Sequence, residues 1–361
     1  MHMSDALLSP EVAGVMWATS AGAVAWSSVQ VRKQLKDGKL QPAVMGLGGA
    51  FIFAVQMLNF AIPGTGSSGH LAGGVLLSFL FGGPAAVLIL AVVLAVQALF
   101  FGDGGILAYG CNLFNMGIIP ALFVVPAARK FMGIIEKRWG GAGLFVWITI
   151  AGLISLVAGA AMVSVETCLS GVTALSLLQF LACMVPIHIA IGLVEGCVSA
   201  AILRVAAGIA PELDTEGIFA KVETPSFTKR RWQIIGGGLF LSCILGGVVS
   251  WFASVHPDGL EWSLERLGIK ETLPATKLHQ KAQALQEKTA IMPDYDFPAP
   301  RTESQQAEEE PEKWPNISLG NSIAGVSGAL AVLVLAMLIG ILFRGREVNT
   351  NVDGSAAGTH A

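Results

Sequence analysis

The longest uncharged stretch of this chain sets the strongest limit on its fold. Between residues 40 and 128 the only acidic or basic side chain is Asp103. Such a stretch offers too few polar groups to cover a surface in water, and lipid is the solvent that suits it. The composition of the whole chain supports this, because charged residues make up 13% of it, against about 25% in soluble domains. We therefore expect an integral membrane protein.

Runs of about 20 apolar residues mark transmembrane helices. A further, shorter run covers residues 71–81, and only Gly82 and Gly83 separate it from the next run, which begins at Pro84. The eight clear runs cover residues 12–31, 42–62, 84–101, 106–128, 144–165, 175–205, 232–255 and 323–343.

Basic residues in short loops indicate how these segments cross, because Lys and Arg favour the cytoplasmic side. The basic stretches are residues 32–39, 129–138 and 221–231 and the tail with Arg344 and Arg346. Placing all four on one side requires an even number of crossings between neighbours, so the short run at 71–81 must count as a crossing. The pattern predicts nine membrane segments, the third short and partly re-entrant. Localisation in the cell (inner) membrane follows, with the N-terminus outside and the C-terminus inside.

This topology divides the chain into four parts. They are a transmembrane core at residues 1–205, a cytoplasmic linker at 206–231, a two-helix unit at 232–343 and a cytoplasmic tail at 344–361. The two-helix unit contains a polar insert, residues 256–320, which we interpret as a small extracytoplasmic domain with a partly disordered second half. The expected fold is an all-α polytopic membrane protein, with a seven-segment helical core and two further transmembrane helices flanking the insert.

Several classes of function can be set aside. The net charge is −3 and no basic cluster could follow a phosphate backbone, so nucleic acid is not an expected partner. The five cysteines lie in apolar runs and form no C-x-x-C pair. No G-x-x-x-x-G-K-(S/T) loop is present, so we do not expect this chain to bind and hydrolyse ATP itself.

The first two residues form a candidate metal chelate. A histidine directly after the initiator methionine brings together three nitrogens: the Met1 amine, the His2 main-chain nitrogen and the His2 imidazole. A square of nitrogens suits Ni(II) or Cu(II) better than Mg or Ca. The fourth corner needs another imidazole on the same face, and the crossing argument places His70 there. The plainer alternative is a frayed terminal His2 and an ordinary loop histidine at position 70.

Five stretches at and after these residues resemble the CbiM/NikM family, the substrate-binding components of energy-coupling-factor cobalt and nickel transporters. They are MHMSDALLSP (1–10), FAVQMLNF with IPG (53–60, 62–64), SGHLAGG (68–74), VQALFFGDGG (96–105) and NLFNMG (112–117). The resemblance implies that the Met1 amine, the His2 main-chain nitrogen and imidazole, and the His70 imidazole hold Ni(II) or Co(II) as transported substrate, without an organic cofactor. Two departures are Ala6, where the family usually has Gly, and one extra residue in the loop before His70.

A second signature lies in the insert. The run Pro257-Asp258-Gly259-Leu260-Glu261, with Trp262 after it and Asp294-Tyr295 further on, resembles the PDGLE domain of the small CbiN/NikN accessory subunits, fused here to the binding component. The resemblance also implies partners in the bilayer and cytoplasm, namely a transmembrane coupling subunit and paired ATPase subunits. This chain would then be the receptor part of an uptake complex and not an enzyme.

Polar residues within or beside the apolar segments are further candidates, either as groups that orient the metal ligands or as hydrogen-bonding partners between helices. His188 and Glu195 lie seven residues apart and share one face of a predicted helix. Ionisable groups in a membrane point to transport or to contact with a partner, although His188 could equally be a core histidine. The uncharged candidates are Gln56, Asn59, Ser68, Gln97, Asn112 and Asn115.

Two other functions remain open at this point. The run Gly66-Ser67-Ser68-Gly69 fits the G-x-S-G pattern of rhomboid-type intramembrane serine proteases, with His188 as general base. An energy-independent metal permease with the same fold would use the same ligands but would have no ATPase partner.

Overall fold

The computed structural model describes residues 1–209, 231–270, 276–298 and 314–344. Three parts of the predicted organisation lie outside these ranges. They are most of the linker at 206–231, much of the second half of the insert, and the tail after residue 344.

Helices dominate the described chain. The helices are α1 (Pro10–Lys36), α2 (Pro42–Gln56), α3 (Gly74–Phe81), α4 (Gly83–Val96), α5 (Tyr109–Leu113), α6 (Val125–Ser170), α7 (Leu177–Ile209), α8 (Arg231–Gly247), α9 (Gly259–Arg266), α10 (Lys277–Thr289) and α11 (Leu319–Arg344). Wide π-helical turns extend α4 over Gln97–Phe101 and join α5 to α6 over Phe114–Val124. A small hairpin pairs β1 (Phe60–Ile62) with β2 (Ser67–Gly69).

A helix lies at each of the nine predicted segments. Six helical runs in the described residues are long and apolar enough to cross a bilayer. The longest, Tyr109–Ser170, spans 62 residues, and the non-helical backbone of Gly140 divides it into two helices. These two correspond to the predicted segments at 106–128 and 144–165. The predicted fold class is confirmed, since α8 and α11 follow the core and flank the insert.

The third segment is the shortest. Helix α3 has 8 residues, which span about 12 Å at 1.5 Å per residue, less than half of the roughly 30 Å hydrocarbon core. It is buried along its whole length. Gly82, with φ of +82°, separates it from α4. This geometry suits a partly re-entrant helix, and the orientation of the two termini stays a prediction.

The predicted segment at 42–62 is wrong at its end. Helix α2 stops at Gln56, and the chain then leaves as strand β1, which pairs antiparallel with β2. The turn contains Gly64 and Gly66, with φ of +77° and +75°, a region that residues with a Cβ rarely adopt. Hydropathy alone does not tell a helix from a strand in a short apolar run. The hairpin matters because it returns the chain to His70.

Glycines bring the membrane helices into close contact. A Cβ on Gly152 of α6 would lie 2.5 Å from the Cα of Gly196 on α7. Small residues of this kind let helices approach in lipid. Both α8 and α11 pack on α2, and Gly328 of α11 lies where a Cβ would overlap the ring of Phe53. The two C-terminal helices are therefore packed against the core.

The insert covers one end of the core, which the predicted topology makes the outer end. It contacts the N-terminal segment, the turn of the hairpin and the loop after α4. These contacts include His279 Nε2 with the Leu8 carbonyl at 2.9 Å, Trp262 Nε1 donating to the Thr65 carbonyl at 3.0 Å, and Gln286 Nε2 donating to the Gly104 carbonyl at 2.7 Å.

Candidate metal centre

The N-terminal segment runs into the protein and is well fixed. Met1 is 6% exposed and Met3 is fully buried. Asn112 holds the backbone of Met3 on both sides, since its Oδ1 accepts from the Met3 N–H at 2.8 Å and its Nδ2 donates to the Met3 carbonyl at 3.1 Å. Asp5 accepts a main-chain N–H from Ala108, just before α5. These bonds fix the positions of Met1 and His2.

The structure brings His2 and His70 together. Their rings stack with centroids 5.1 Å apart and planes 16° apart. His70 directly follows β2 and is 9% exposed. The two candidate imidazoles are therefore direct neighbours in the folded chain.

A chain of buried hydrogen bonds fixes which nitrogen of His2 carries the proton. The Ala72 carbonyl can only accept, and Gln56 donates to it through Nε2 at 2.8 Å. Gln56 Oε1 then accepts from Gln97 Nε2 at 2.8 Å, which leaves Gln97 Oε1 facing His2 Nε2 at 3.2 Å. His2 Nε2 is therefore the donor, and Nδ1 keeps its lone pair. Nδ1 is the ring nitrogen that can close a chelate ring with the His2 main-chain nitrogen.

His70 is oriented in a similar way. Its Nδ1 lies 3.3 Å from the Leu71 carbonyl, so Nδ1 donates and Nε2 keeps a lone pair. The following backbone is held by Glu195, whose carboxylate accepts from the Ala72 N–H at 2.7 Å and the Gly73 N–H at 3.2 Å. Glu195 is 1% exposed. Its carboxylate thus lies inside the core in this structure, where it holds the loop after His70.

The Met1 amine pairs with a carboxylate from the insert. Its nitrogen lies 2.6 Å from Oδ2 of Asp258, the residue that caps α9. Oδ1 of Asp258 accepts from the N–H groups of Leu260 and Glu261, and the Glu261 side chain accepts in return from the Asp258 N–H. Burial alone would raise the pKa of Asp258, but the charge of the Met1 amine and these hydrogen bonds hold that pKa well below its usual value. A charged carboxylate therefore stays beside the amine.

Both imidazoles are neutral near pH 7. Burial lowers the pKa of His2. Burial also lowers the pKa of His70, to about 3, with further lowering from the charge of the Met1 amine and from His2. Metal ligands must be unprotonated, so both rings can accept a cation without first losing a proton. Asp103 adds negative charge here, with Oδ1 lying 3.4 Å from His2 Nδ1.

An open cavity of about 500 Å³ leads to these residues between the core and the insert. Both histidines line it, and none of the described residues on its wall is Lys or Arg. A cleft of one sign of charge concentrates counter-ions, so this cavity suits the entry of a cation. The acids on its wall are Asp103, Asp258, Glu261, Asp294 and Asp296.

Among the remaining uncharged candidates, Ser68 and Asn115 form no hydrogen bond with His2 or His70. The Ser68 hydroxyl donates to the His256 carbonyl at 2.7 Å and so ties the hairpin to the insert. Asn115 Nδ2 donates at 2.7 Å to the buried carboxylate of Glu166. Asn59 lines the open cavity.

Sequence reasoning did not assign a site role to Asp258, Asp103 or Glu166. The signal for Asp103 was its isolation as the one charge in a long apolar stretch. Asp258 belonged to a motif on the predicted outer face, where Met1 was also placed. Glu166 lies near the end of a predicted segment and offered no pattern that links it to Asn115.

The candidate donors differ from an ordinary side-chain metal cluster. Among the described residues no group of three or more His, Cys, Asp or Glu could hold a metal ion. Here main-chain nitrogens supply half of the donors, namely the Met1 amine and the His2 main-chain nitrogen. With His2 Nδ1 and His70 Nε2 they make four nitrogens, a set that suits a square-planar ion.

Comparisons with known proteins cover both halves of the chain. Residues 2–213 match the family model of a cobalt uptake substrate-specific transmembrane region, and residues 232–345 match a PDGLE domain. A relative from Haloquadratum walsbyi, described as a metal transport protein, is 34% identical over 213 residues, which are 59% of this chain and 93% of the relative. The fused nickel transport protein NikMN of Rhodobacter capsulatus is 37% identical over 168 residues, 46% of each chain.

A solved structure resembles the core. The crystal structure of a truncated transition metal transporter superposes with a TM-score of 0.50 at 29% sequence identity, covering 58% of this chain and 99% of that one. Both relatives and this solved structure are described as transporters of metals.

Proposed function

This chain belongs to the CbiM family of cobalt uptake substrate-specific transmembrane proteins, with a PDGLE domain fused after it, and we propose that it captures Ni(II) or Co(II) at the outer face for ATP-driven import. It is a multi-pass membrane protein of nickel or cobalt transport. The ligands, the face of capture and the energy source are the proposed part.

The proposed ligands are the Met1 amine, the His2 main-chain nitrogen and Nδ1, and His70 Nε2. One observation carries this proposal. Hydrogen bonds run from the Ala72 carbonyl through Gln56 and Gln97 to His2, and they leave Nδ1 without a proton on a ring that stacks against His70. Groups that orient a ligating histidine in this way tune metal sites in general.

The donor set favours nickel, although the relatives bear names of both metals. A square of four nitrogens is typical of Ni(II), and divalent nickel binds a given nitrogen site more tightly than cobalt does. Parallel loading of the purified protein with the two metals, followed by metal analysis, tests this preference.

Energy for import has to come from other subunits under this proposal. The sequence has no phosphate-binding loop of the G-x-x-x-x-G-K-(S/T) type. We therefore propose a transmembrane coupling subunit and paired cytoplasmic ATPases as partners, with the N-terminus of this chain outside and its C-terminus inside.

The experiment is Ni(II) binding to the purified full-length protein. His70→Ala removes one nitrogen, and an alanine inserted between Met1 and His2 changes the chelate ring pattern. Each change is expected to weaken binding at least a hundredfold, about 3 kcal/mol. The matched control is His256→Ala, because that histidine is exposed on the wall of the open cavity. Wild-type affinity in both site variants would refute the proposed ligands.

Two competing functions make different predictions. A protease would pair Ser68 with His188, but the Ser68 hydroxyl donates to the His256 carbonyl and His188 Nδ1 lies 2.7 Å from the Met184 carbonyl. Ser68→Ala is therefore expected to keep metal uptake, and peptide cleavage that depends on Ser68 would favour the protease. Metal uptake by membrane vesicles without ATP or an ATPase partner would favour a permease.

A further inference from the structure

A second, much smaller cavity adjoins the candidate metal centre, and we call it the enclosed cavity because every residue on its wall except Asp258 is buried. It measures about 10 Å³, which is room for about one water-sized species. His70 and Asp258 line both cavities. Met1 lines only the enclosed one and His2 only the open one. The proposed donor set therefore stands between an open space and a closed space.

His188 lines the enclosed cavity and has an unused nitrogen. The side chain is fully buried. Its Nδ1 faces the Met184 carbonyl at 2.7 Å, and because a carbonyl only accepts, Nδ1 carries the proton. Nε2 then keeps its lone pair, and it has no hydrogen-bond partner among the described residues. A buried acceptor without a partner is costly, so this position calls for a donor or a cation.

His279 shows how a structural histidine differs in this protein. It is equally buried. Its Nδ1 bonds with the Thr276 hydroxyl at 2.6 Å and its Nε2 with the Leu8 carbonyl at 2.9 Å. Both ring nitrogens of His279 are thus used, whereas His188 offers one that is free, next to the amine and His70.

We propose that the enclosed cavity is an inner position for the transported ion, with His188 Nε2 as its new ligand. This inference rests on the proposed function, because the ion comes from the set formed by Met1, His2 and His70. The ion moves by ligand exchange without a change of oxidation state. The two His2 nitrogens leave, and His188 binds while Met1 and His70 stay attached. The His2 main-chain nitrogen, which gives up its proton to bind the ion in the first set, takes a proton back from water in the open cavity and leaves a hydroxide there.

The insert closes this inner position. Gly259 lies against His188, since a Cβ there would come within 3.0 Å of His188 Cε1 and 2.7 Å of Ile187 Cγ2. Only a glycine lets the start of α9 approach so closely. The neighbouring Asp258 brings negative charge to the wall of the enclosed cavity. A cation there would have a nitrogen ligand on α7 and a nearby negative charge at the start of α9, which packs against it.

The test starts from the His2→Ala variant, which removes one imidazole from the donor set formed by Met1, His2 and His70. X-ray absorption of Ni(II)-loaded full-length protein counts the imidazoles bound to each ion. We expect two in His2→Ala, from His70 and His188, and one in His2→Ala with His188→Gln, with at least tenfold weaker binding. Glutamine keeps a donor for the Met184 carbonyl but removes the nitrogen ligand. In the protein that keeps His2, the four-nitrogen set holds the ion. His188→Gln alone should therefore weaken Ni(II) binding about threefold or less.

Controls separate the outcomes. His279→Gln combined with His2→Ala is expected to leave two imidazoles bound to each ion. Thermal unfolding without metal shows which variants fold. His188→Leu serves as a second replacement of His188. If a folded double variant matches His2→Ala in imidazole count and affinity, this inference is wrong and the cavity holds only water. If the wild-type protein does not bind Ni(II) at all, the proposed function fails as well.

Discussion

The core and the insert contribute different groups to one site. The core supplies nitrogens, since His2 and His70 are buried there and burial lowers the pKa of each. The insert supplies four of the five carboxylates on the wall of the open cavity, and one of these, Asp258, pairs with the Met1 amine; Asp103 is the one from the core. Nitrogens suit strong binding of nickel or cobalt, whereas carboxylates attract any cation. We infer that the core determines affinity and that the insert determines access.

The core should show the largest effect. Gln97→Leu removes the acceptor that fixes the protonated nitrogen of His2, and loss of such a partner typically costs 10- to 100-fold in metal affinity. We expect a loss in that range for Ni(II), measured by competition with a chelator of known affinity. The control is Gln233→Leu, on an exposed position of α8. Equal affinities in the two variants would show that the hydrogen-bond chain does not orient His2.

The insert should affect rate more than affinity. Asp258→Asn keeps a residue that can cap α9 but removes the charge beside the Met1 amine. We expect about a tenfold slower association of Ni(II), by analogy with electrostatic steering, and only about a threefold weaker affinity. Stopped-flow mixing with the metal measures both. A loss of affinity as large as that of Gln97→Leu would contradict the division between core and insert.

Weakening the contact between α9 of the insert and the core should change Ni(II) affinity less than Gln97→Leu does. Gly259→Ala places a methyl group against Ile187 and His188, and overpacking of this kind costs about 1 to 3 kcal/mol. Hydrogen exchange in α9 should therefore rise while Ni(II) affinity changes about threefold or less. Gly236→Ala is the matched control, because nothing lies within 4 Å of a Cβ there. Unchanged exchange in α9 would mean that the close approach is not needed.

The smallest expected effect is on the pH dependence of stability in the protein without metal. Because burial lowers the pKa of His70 to about 3 in the folded state, the unfolded chain binds more protons between that value and the ordinary value near 6.5. Stability is therefore full above pH 6.5 and falls as the pH drops toward 3. Thermal unfolding at pH 7.5 and pH 5 should show a smaller decrease for His70→Gln than for the wild type. An equal decrease would mean that His70 is protonated in the folded core.

The sequence predicted the helices well and the close contacts poorly. Apolar runs of sufficient length located each membrane segment, because a bilayer imposes that length on a helix. The same runs did not show that α2 ends at Gln56 or that Ser67–Gly69 forms a strand, since hydropathy does not distinguish a helix from a strand in a short run. Glycines with positive φ at positions 64 and 66 were the local evidence for the turn.

The candidate site was predictable only in part. Met1 and His2 came from the chemistry of adjacent residues, and the resemblance to a family supported His70. The pairing of Met1 with Asp258 joins residues 257 positions apart, and no pattern in one sequence reports such a contact. For Gln56 and Gln97 the sequence left open whether they orient metal ligands or join helices. The direction of their hydrogen bonds depends on the Ala72 carbonyl, which only the folded chain brings to them.

X-ray absorption of the Ni(II)-loaded wild-type protein tests the central claim most directly. If the core binds the metal, the spectrum will show four nitrogen neighbours at about 2 Å, two of them imidazoles, and His70→Ala will lower the imidazole count to one. A shell made mainly of oxygens, or an imidazole count unchanged by His70→Ala, would contradict the account and would move the binding site from the core to the acids of the insert.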